Sequence, residues 1–112
     1  MTKSKKNLDW SYLHLINSQK LYDLLNQIPK GKVTTYKALA DRLKTKGYRA
    51  VGQIVGKNPN APIVPCHRVV KSDGALGGYA FGIEKKIEIL ASEGIEIRDG
   101  KVIDFTRKIF FF

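Results

Sequence analysis

Residues 34–56 read TTYKALADRLKTKGYRAVGQIVG, and the fold turns on this stretch. Thr34 or Thr35 opens a helix, because a threonine hydroxyl accepts from backbone N–H groups left free at a helix start. Tyr36, Leu39, Ala40 and Leu43 follow at spacings that share one helix face. Lys44 to Gly47 turns the chain, and a further short helix runs from about Tyr48 to Gly56 with Val51, Ile54 and Val55 inward. Two short helices joined by a glycine-containing turn make a helix-turn-helix. Many small domains use such a pair for packing alone. Here Lys30, Lys32, Lys37, Arg42, Lys44, Lys46 and Arg49 surround it, which favours a polyanionic partner.

Upstream, Asn17 or Ser18 caps a helix carrying Leu21, Leu24, Leu25 and Ile28, which Pro29 to Gly31 ends. Downstream, the prolines of Asn58-Pro-Asn-Ala-Pro-Ile-Val-Pro65 forbid a helix and predict an ordered, extended loop. Val69-Val70 reads as a short strand, Ser72-Asp73-Gly74 as a turn, and Gly77, Gly78 and Gly82 frame Tyr79 in a loop. Ile83, Ile87, Leu90 and Ala91 define a last helix closed at Gly94. Asp99-Gly100, between Ile95/Ile97 and Val102/Ile103, predicts a hairpin with a type I′ turn. The apolar end Ile109-Phe-Phe-Phe112 either packs on the domain or is an aggregation hazard. The expected fold class is mostly α with a small β-hairpin (α+β), a winged-helix-like helix-turn-helix domain. Residues 1–15 read as an N-terminal extension, 16–103 as the domain and 104–112 as a C-terminal tail.

Composition fits one globular domain: 112 residues, 43% hydrophobic and 27% charged. No apolar run approaches a membrane span, and no apolar segment follows the basic N-terminus as a secretory signal requires. The net charge is +10, and it is uneven: residues 1–56 carry 11 basic and 3 acidic side chains, residues 57–112 carry 9 and 7. A basic half on a small chain points to nucleic acid, although 15 of the 20 cations are lysine, as a surface built for solubility also has. The single cysteine allows no internal disulfide and no cysteine-cluster zinc site, and it suits a reducing compartment.

That cysteine lies in Pro65-Cys66-His67-Arg68-Val69-Val70. A lone cysteine is commonly an inert core residue. This one follows a rigid proline loop and precedes a strand, where a fold displays a fixed group. A free thiol is mostly protonated at neutral pH, so nucleophilic use needs a base. His67 is the candidate, yet neighbours in a strand face opposite ways, so a bridging water or a bent backbone is required. Glu93, at the end of the last helix, is the acid placed to orient the imidazole.

Taken with Gly31-Lys-Val-Thr-Thr-Tyr36, Arg49-Ala-Val-Gly52, Gly56-Lys-Asn-Pro59, Gly78-Tyr-Ala-Phe-Gly82 and Ser92-Glu-Gly94, the Pro65–Val69 pentapeptide resembles the DNA-binding, catalytic domain of O6-alkylguanine-DNA alkyltransferases. The resemblance spans about Ile16 to Ile97. It implies that Cys66 accepts an alkyl group from guanine O6 once and irreversibly, that His67 draws the thiol proton through water, and that Glu93 holds the ring. It further implies that Asn58 bridges the helix-turn-helix to the cysteine loop. Tyr36 would rotate the nucleotide out and protonate the departing guanine, and Arg49 would fill the gap in the stack. Thr35, Ala50, Gly52 and Lys57 join Tyr36 and Arg49 as implied DNA contacts, while Tyr79, Val69, Ala80 and Pro65 line the implied pocket. The physical logic agrees: O6 of a paired guanine is buried in the duplex, so chemistry there requires extrusion.

The expected partner is double-stranded DNA containing O6-alkylguanine. No cofactor, metal or membrane is expected, the chain is expected to be a monomer, and excision-repair proteins are candidate partners. The expected setting is intracellular: cytoplasmic and nucleoid-associated, or nuclear. Relatives of this resemblance carry a further N-terminal domain, for which only about 15 residues precede the match. A single-domain layout also resembles the alkyltransferase-like proteins, which flag alkylated guanine without repairing it and have tryptophan where Cys66 stands. A plain helix-turn-helix regulator is the third reading, and it leaves Asn58, Tyr79 and Glu93 together unexplained.

Overall fold

Residues 17–58 and 60–112 are described by the computed structural model. The N-terminal extension, His14 and Pro59 lie outside the described residues. Helix α1 spans Ser18–Gln27, and its cap is Asn17, whose Oδ1 accepts from the Lys20 N–H at 3.1 Å. Strand β1 is Thr34–Thr35, and α2 follows directly over Tyr36–Arg42. Thr35 caps α2 by accepting from the Ala38 N–H at 3.0 Å. Lys44 takes the left-handed conformation, φ 59°, to close the turn, and α3 runs over Tyr48–Gly56. The helix-turn-helix is therefore present with the bounds its pattern predicts.

Beyond α3 the chain departs from expectation. The proline segment is not extended: it coils through turns, with the Val64 N–H donating to the Asn60 carbonyl at 2.9 Å. Proline excludes a helix but tolerates tight turns, and the prolines here serve the second role. Cys66–Arg68 forms one turn of 3₁₀ helix before strand β2, Val69–Val70. β2 pairs in parallel with β1, Thr34 opposite Val69 and Thr35 opposite Val70. A two-residue parallel pairing between segments 35 residues apart has no local sequence signature.

Helix α4 spans Ile83–Ser92. Its inward positions are Lys86 and Leu90 with Ile87 partly buried, whereas Ile83 and Ala91, expected inward, are exposed. Strands β3 (Ile97–Arg98) and β4 (Lys101–Val102) make the hairpin, and Asp99 and Gly100 both have positive φ, 53° and 75°, as a type I′ turn demands. A short helix α5 follows, Phe105–Lys108.

Two apolar clusters hold these parts. One joins α1, α2 and α3 to Cys66 and Val69 through Leu21, Leu25, Leu39 and Val51. The other joins β1 and β2 to α4 and the hairpin through Val33, Val70, Leu90 and Ile95. Val33, Val69 and Val70 are fully enclosed, so the short parallel pair is the seam between the clusters. The end of the chain packs on the domain. Ile109 bridges Val33, the Phe110 N–H donates to the Val33 carbonyl at 2.7 Å, and the Thr34 hydroxyl donates to the Phe110 carbonyl at 2.9 Å. Phe110 and Phe112 meet edge to face at 5.3 Å on the first cluster.

The C-terminal aromatics are thus structural. Phe110→Ala is expected to cost about 2 kcal/mol, less than truncation of a fully enclosed phenylalanine. Thermal unfolding checks this, with Tm falling by roughly 10 °C; an unchanged Tm would contradict the packing role.

Candidate functional site

Cys66 and His67 sit on the 3₁₀ turn, the bent backbone that lets adjacent residues serve one site. Both are buried, Cys66 3% exposed and His67 2%. Glu93 is the C-cap of α4, and its carboxylate closes three bonds. His67 Nε2 lies 3.0 Å from Oε2, Arg68 Nε donates to Oε1 at 2.9 Å, and an Arg68 terminal nitrogen donates to Oε2 at 2.7 Å. The other terminal nitrogen of Arg68 donates to the Ile28 carbonyl at 2.8 Å, just past α1. This is a fork-to-carboxylate pair, the geometry arginine supplies and lysine does not.

The protonation states follow. Burial alone would raise the Glu93 carboxyl, but the bonds from Arg68 and His67 outweigh it and hold the group below the usual range. Burial pushes the His67 imidazole below its ordinary value against the opposing pull of Glu93. At neutral pH the pair is a neutral imidazole facing an ionised carboxylate. An ionised carboxylate only accepts, so Nε2 carries the proton. Nδ1 is then a bare acceptor, and it is buried with no hydrogen-bond partner among the described residues. A buried, unprotonated ring nitrogen has the chemistry to accept a proton.

The thiol is held in reserve. Burial raises the Cys66 pKa, while the neighbouring Asn58 amide and the charge of Lys86 pull the other way. Asn58 ends the α3 segment, and its amide donates to the Val64 carbonyl at 2.7 Å while its Oδ1 accepts from the Asn60 N–H at 3.0 Å. These bonds hold the segment after α3 to the loop that leads into the cysteine turn.

Lys86 is the residue that sequence reasoning missed. Its side chain is fully buried, and its ammonium donates to the carbonyls of Val69 (2.8 Å), Leu76 and Gly78 (3.0 Å). Desolvation lowers its pKa to about 8, partly offset by Cys66. Three carbonyls compensate the buried charge and pin the Tyr79 loop to the strand after Cys66. The signal lay in its spacing: Lys86 occupies the i+3 position of the stripe Ile83, Ile87, Leu90.

A cleft of about 560 Å³ opens between α3 and the Tyr79 loop, lined by Tyr36, Tyr48, Arg49, Gly52, Gln53, Gly56, Gly78, Tyr79 and Ala80. Burial, then the neighbouring Cys66, raises the hydroxyl pKa of both Tyr36 and Tyr79, so each stays protonated. Tyr79 meets His67 edge-on at 6.5 Å, and its hydroxyl is buried without a partner among the described residues. Gly77, φ +70°, is required here: a Cβ would stand 3.0 Å from the Tyr36 hydroxyl.

The remaining candidates divide. Arg49 and Lys57 are exposed and Gly52 and Ala80 line the cleft, whereas Ala50, expected to face DNA, is buried in the core beneath α3. Thr35 is buried with its hydroxyl oxygen engaged as the α2 cap, so it positions Tyr36 rather than offering a free contact. Pro65 and Val69 are buried around the cysteine turn rather than on the cleft wall.

Comparison with known proteins bears on this arrangement. The sequence profile of the 6-O-methylguanine DNA methyltransferase DNA-binding domain matches residues 17–95. A methylated-DNA–protein-cysteine methyltransferase of Pyrobaculum aerophilum is 51% identical over 87 residues, 74% of this chain and 57% of that protein. A bifunctional methyltransferase/endonuclease of Picrophilus torridus is 48% identical over 83 residues, 73% of this chain and 28% of that protein. The chain thus spans well under two-thirds of the length of these curated relatives. Among solved structures, Mycobacterium tuberculosis OGT in complex with DNA superposes with TM-score 0.66 at 41% identity, covering 69% of this chain and 48% of that one. S. pombe Atl1, in complex with damaged DNA containing O6-carboxymethylguanine, superposes with TM-score 0.73 at 29% identity, covering 83% of this chain and 93% of that one.

Two outcomes test the geometry without DNA. The folded pKa values of His67 and Glu93 both lie below their unfolded ones. The unfolded chain therefore takes up more protons on acidification, and stability falls from about pH 6.5 through His67 and from about pH 4.3 through Glu93. Glu93→Gln is expected to cost about 3 kcal/mol at pH 7 and to flatten the acid limb of a Tm–pH curve; an unchanged curve would contradict the clamp. Lys86→Met is expected to move the pH midpoint of Cys66 capture by iodoacetamide upward, and an unmoved midpoint would contradict the charge coupling.

Proposed function

The chain belongs to the 6-O-methylguanine DNA methyltransferase family, matched through its DNA-binding domain, and from that membership we propose that it repairs O6-alkylguanine in duplex DNA by a single, irreversible transfer to Cys66. One observation carries the proposal: a buried thiol is followed in the chain by a buried histidine whose Nε2 lies 3.0 Å from the Glu93 carboxylate and whose Nδ1 has no hydrogen-bond partner among the described residues. Nδ1 takes the thiol proton through a bridging water, and Cys66 Sγ attacks the alkyl carbon in line. A carbon–sulfur bond forms as the carbon–O6 bond breaks, and the bonding pair passes to the purine. The purine takes up one proton, supplied by the Tyr36 hydroxyl, and leaves as guanine. The thioether has no leaving group, so the protein acts once.

Access to O6 requires extrusion of the nucleotide, which costs a few kcal/mol in unstacking. Arg49, exposed at the second position of α3, enters the stack in place of the departed base. Lysines and arginines around α2 and α3 neutralise phosphates and anchor the duplex. Such chemistry needs DNA and a reduced thiol, so we infer an intracellular setting. Among the described residues, no helix is long and apolar enough to cross a membrane.

A second reading has its own support. Atl1 is matched over 93% of its length, so a lesion binder that transfers nothing is the alternative. Incubation with a duplex containing O6-methylguanine, followed by intact-mass measurement and peptide mapping, separates the two. One methyl group on Cys66 and restored guanine are expected, and Cys66→Ser is expected to lower the transfer rate by roughly a thousandfold or more. Tight lesion binding with no mass change would replace repair with sensing. No preference for the lesion would leave a general DNA-binding helix-turn-helix.

A further inference from the structure

Tyr48, Gly52 and Gly56 recur at i, i+4 and i+8 along α3 and so share one face, which lines the cleft. Two of the three have no side chain, and a Cβ at Gly56, or at Gly78 across the cleft, would meet nothing within 4 Å. Tyr48 is the only ring that α3 presents to the cleft, beside the flexible side chains of Arg49 and Gln53. The other cleft tyrosines are anchored: Tyr36 packs on the first core cluster, and Tyr79 lies edge-on to His67. Tyr48 is 43% exposed and has no aromatic partner among the described residues.

Local stability does not call for a tyrosine at this position. It opens a helix whose Gly47 cap supplies no side-chain bond, it is a poorer helix former than alanine, and it leaves apolar surface in water. A residue that breaks a local rule at the edge of a cleft is placed there for what enters the cleft. Arg49, the next residue, lies about 100° further round the helix. Both side chains line the cleft at the start of α3, so a cation and a ring stand side by side at its mouth.

We propose that Tyr48 is a stacking residue of the DNA site, its ring packing on the extruded nucleotide as this enters the cleft and closing the side that the α3 glycines leave open. The inference rests on the proposed repair function and adds a specific contact to it. Base–aromatic stacking depends on the ring and not on the hydroxyl, and one such contact favours the bound base by roughly 5- to 150-fold. Tyr48 would thereby offset part of the unstacking cost, independently of the chemistry at Cys66.

The test uses a duplex with O6-methylguanine and 2-aminopurine as its 3′ neighbour, whose fluorescence rises when the lesion leaves the stack. Single-turnover transfer at saturating protein is followed in parallel. Tyr48→Ala is expected to lower both the fluorescence rise and the transfer rate by about tenfold, with Tyr48→Phe within about twofold of the parent. Both variants are expected to keep the parent's Tm, because the ring is exposed. Placing the lesion opposite an abasic site, where extrusion is cheap, is expected to restore most of the alanine variant's rate. A Tyr48→Ala protein that extrudes and transfers like the parent would overturn the proposal, as would Tyr48→Phe being as slow as Tyr48→Ala. A parent protein that raises fluorescence but transfers nothing would overturn repair and leave the Tyr48 comparison decided by fluorescence. A parent that does neither would overturn both.

Discussion

Everything in the site depends on one carboxylate, that of Glu93. It ends α4, accepts two bonds from Arg68 and one from His67, and through Arg68 is linked to the carbonyl of Ile28 beyond α1. Three segments distant in sequence are thus held at one point. With its side chain 8% exposed, Glu93 meets the cost of desolvation only because both oxygens are engaged. Removing the carboxylate would strand an arginine and free the imidazole to rotate or change tautomer. Structure and chemistry are the same interaction here: the bonds that fix the fold also decide which nitrogen of His67 is bare.

Around this clamp the molecule divides its tasks. Lys86 uses three carbonyls to tie the Tyr79 loop to the strand after Cys66, and its charge opposes the effect of burial on the thiol. Asn58 ties the same thiol turn to the end of α3. The helix that presents Arg49 and Tyr48 is therefore mechanically continuous with the cysteine turn. Tyr36 opens α2 immediately after Thr35, whose strand is pinned on one side by β2 and on the other by the C-terminal phenylalanines. The proposed extrusion and transfer would need these pieces in register, and β1 and β2 can hold it with two residues each because both are buried.

The helix-turn-helix, α1 and the hairpin were legible because each is specified locally. Apolar spacing, a capping Asn17 or Thr35, and Asp99-Gly100 state their own conformations. The Cys66, His67, Glu93 and Asn58 set was legible through the family resemblance, and the structure places His67 against Glu93 and Asn58 at the loop leading into the cysteine turn. What the sequence concealed is non-local. The β1–β2 pairing is too short to show alternation, and the coil of the proline loop is set by the Asn58 amide rather than by proline alone. Lys86 reads as a solvated lysine beside Lys85 until three carbonyls are seen to surround it. Ala50 shows the opposite error, since a small residue beside Arg49 invites a contact with DNA, yet its position on the helix turns it into the core.

The central claim is that Glu93 holds His67 as the neutral tautomer protonated on Nε2, leaving Nδ1 as the base for Cys66. Nitrogen-15 NMR of the imidazole at pH 7 tests it most directly, because protonated and bare ring nitrogens resonate far apart. The account predicts a protonated Nε2 and an unprotonated Nδ1 in the parent protein, with that preference lost in Glu93→Gln. A proton on Nδ1, or a charged imidazolium at pH 7, would contradict it.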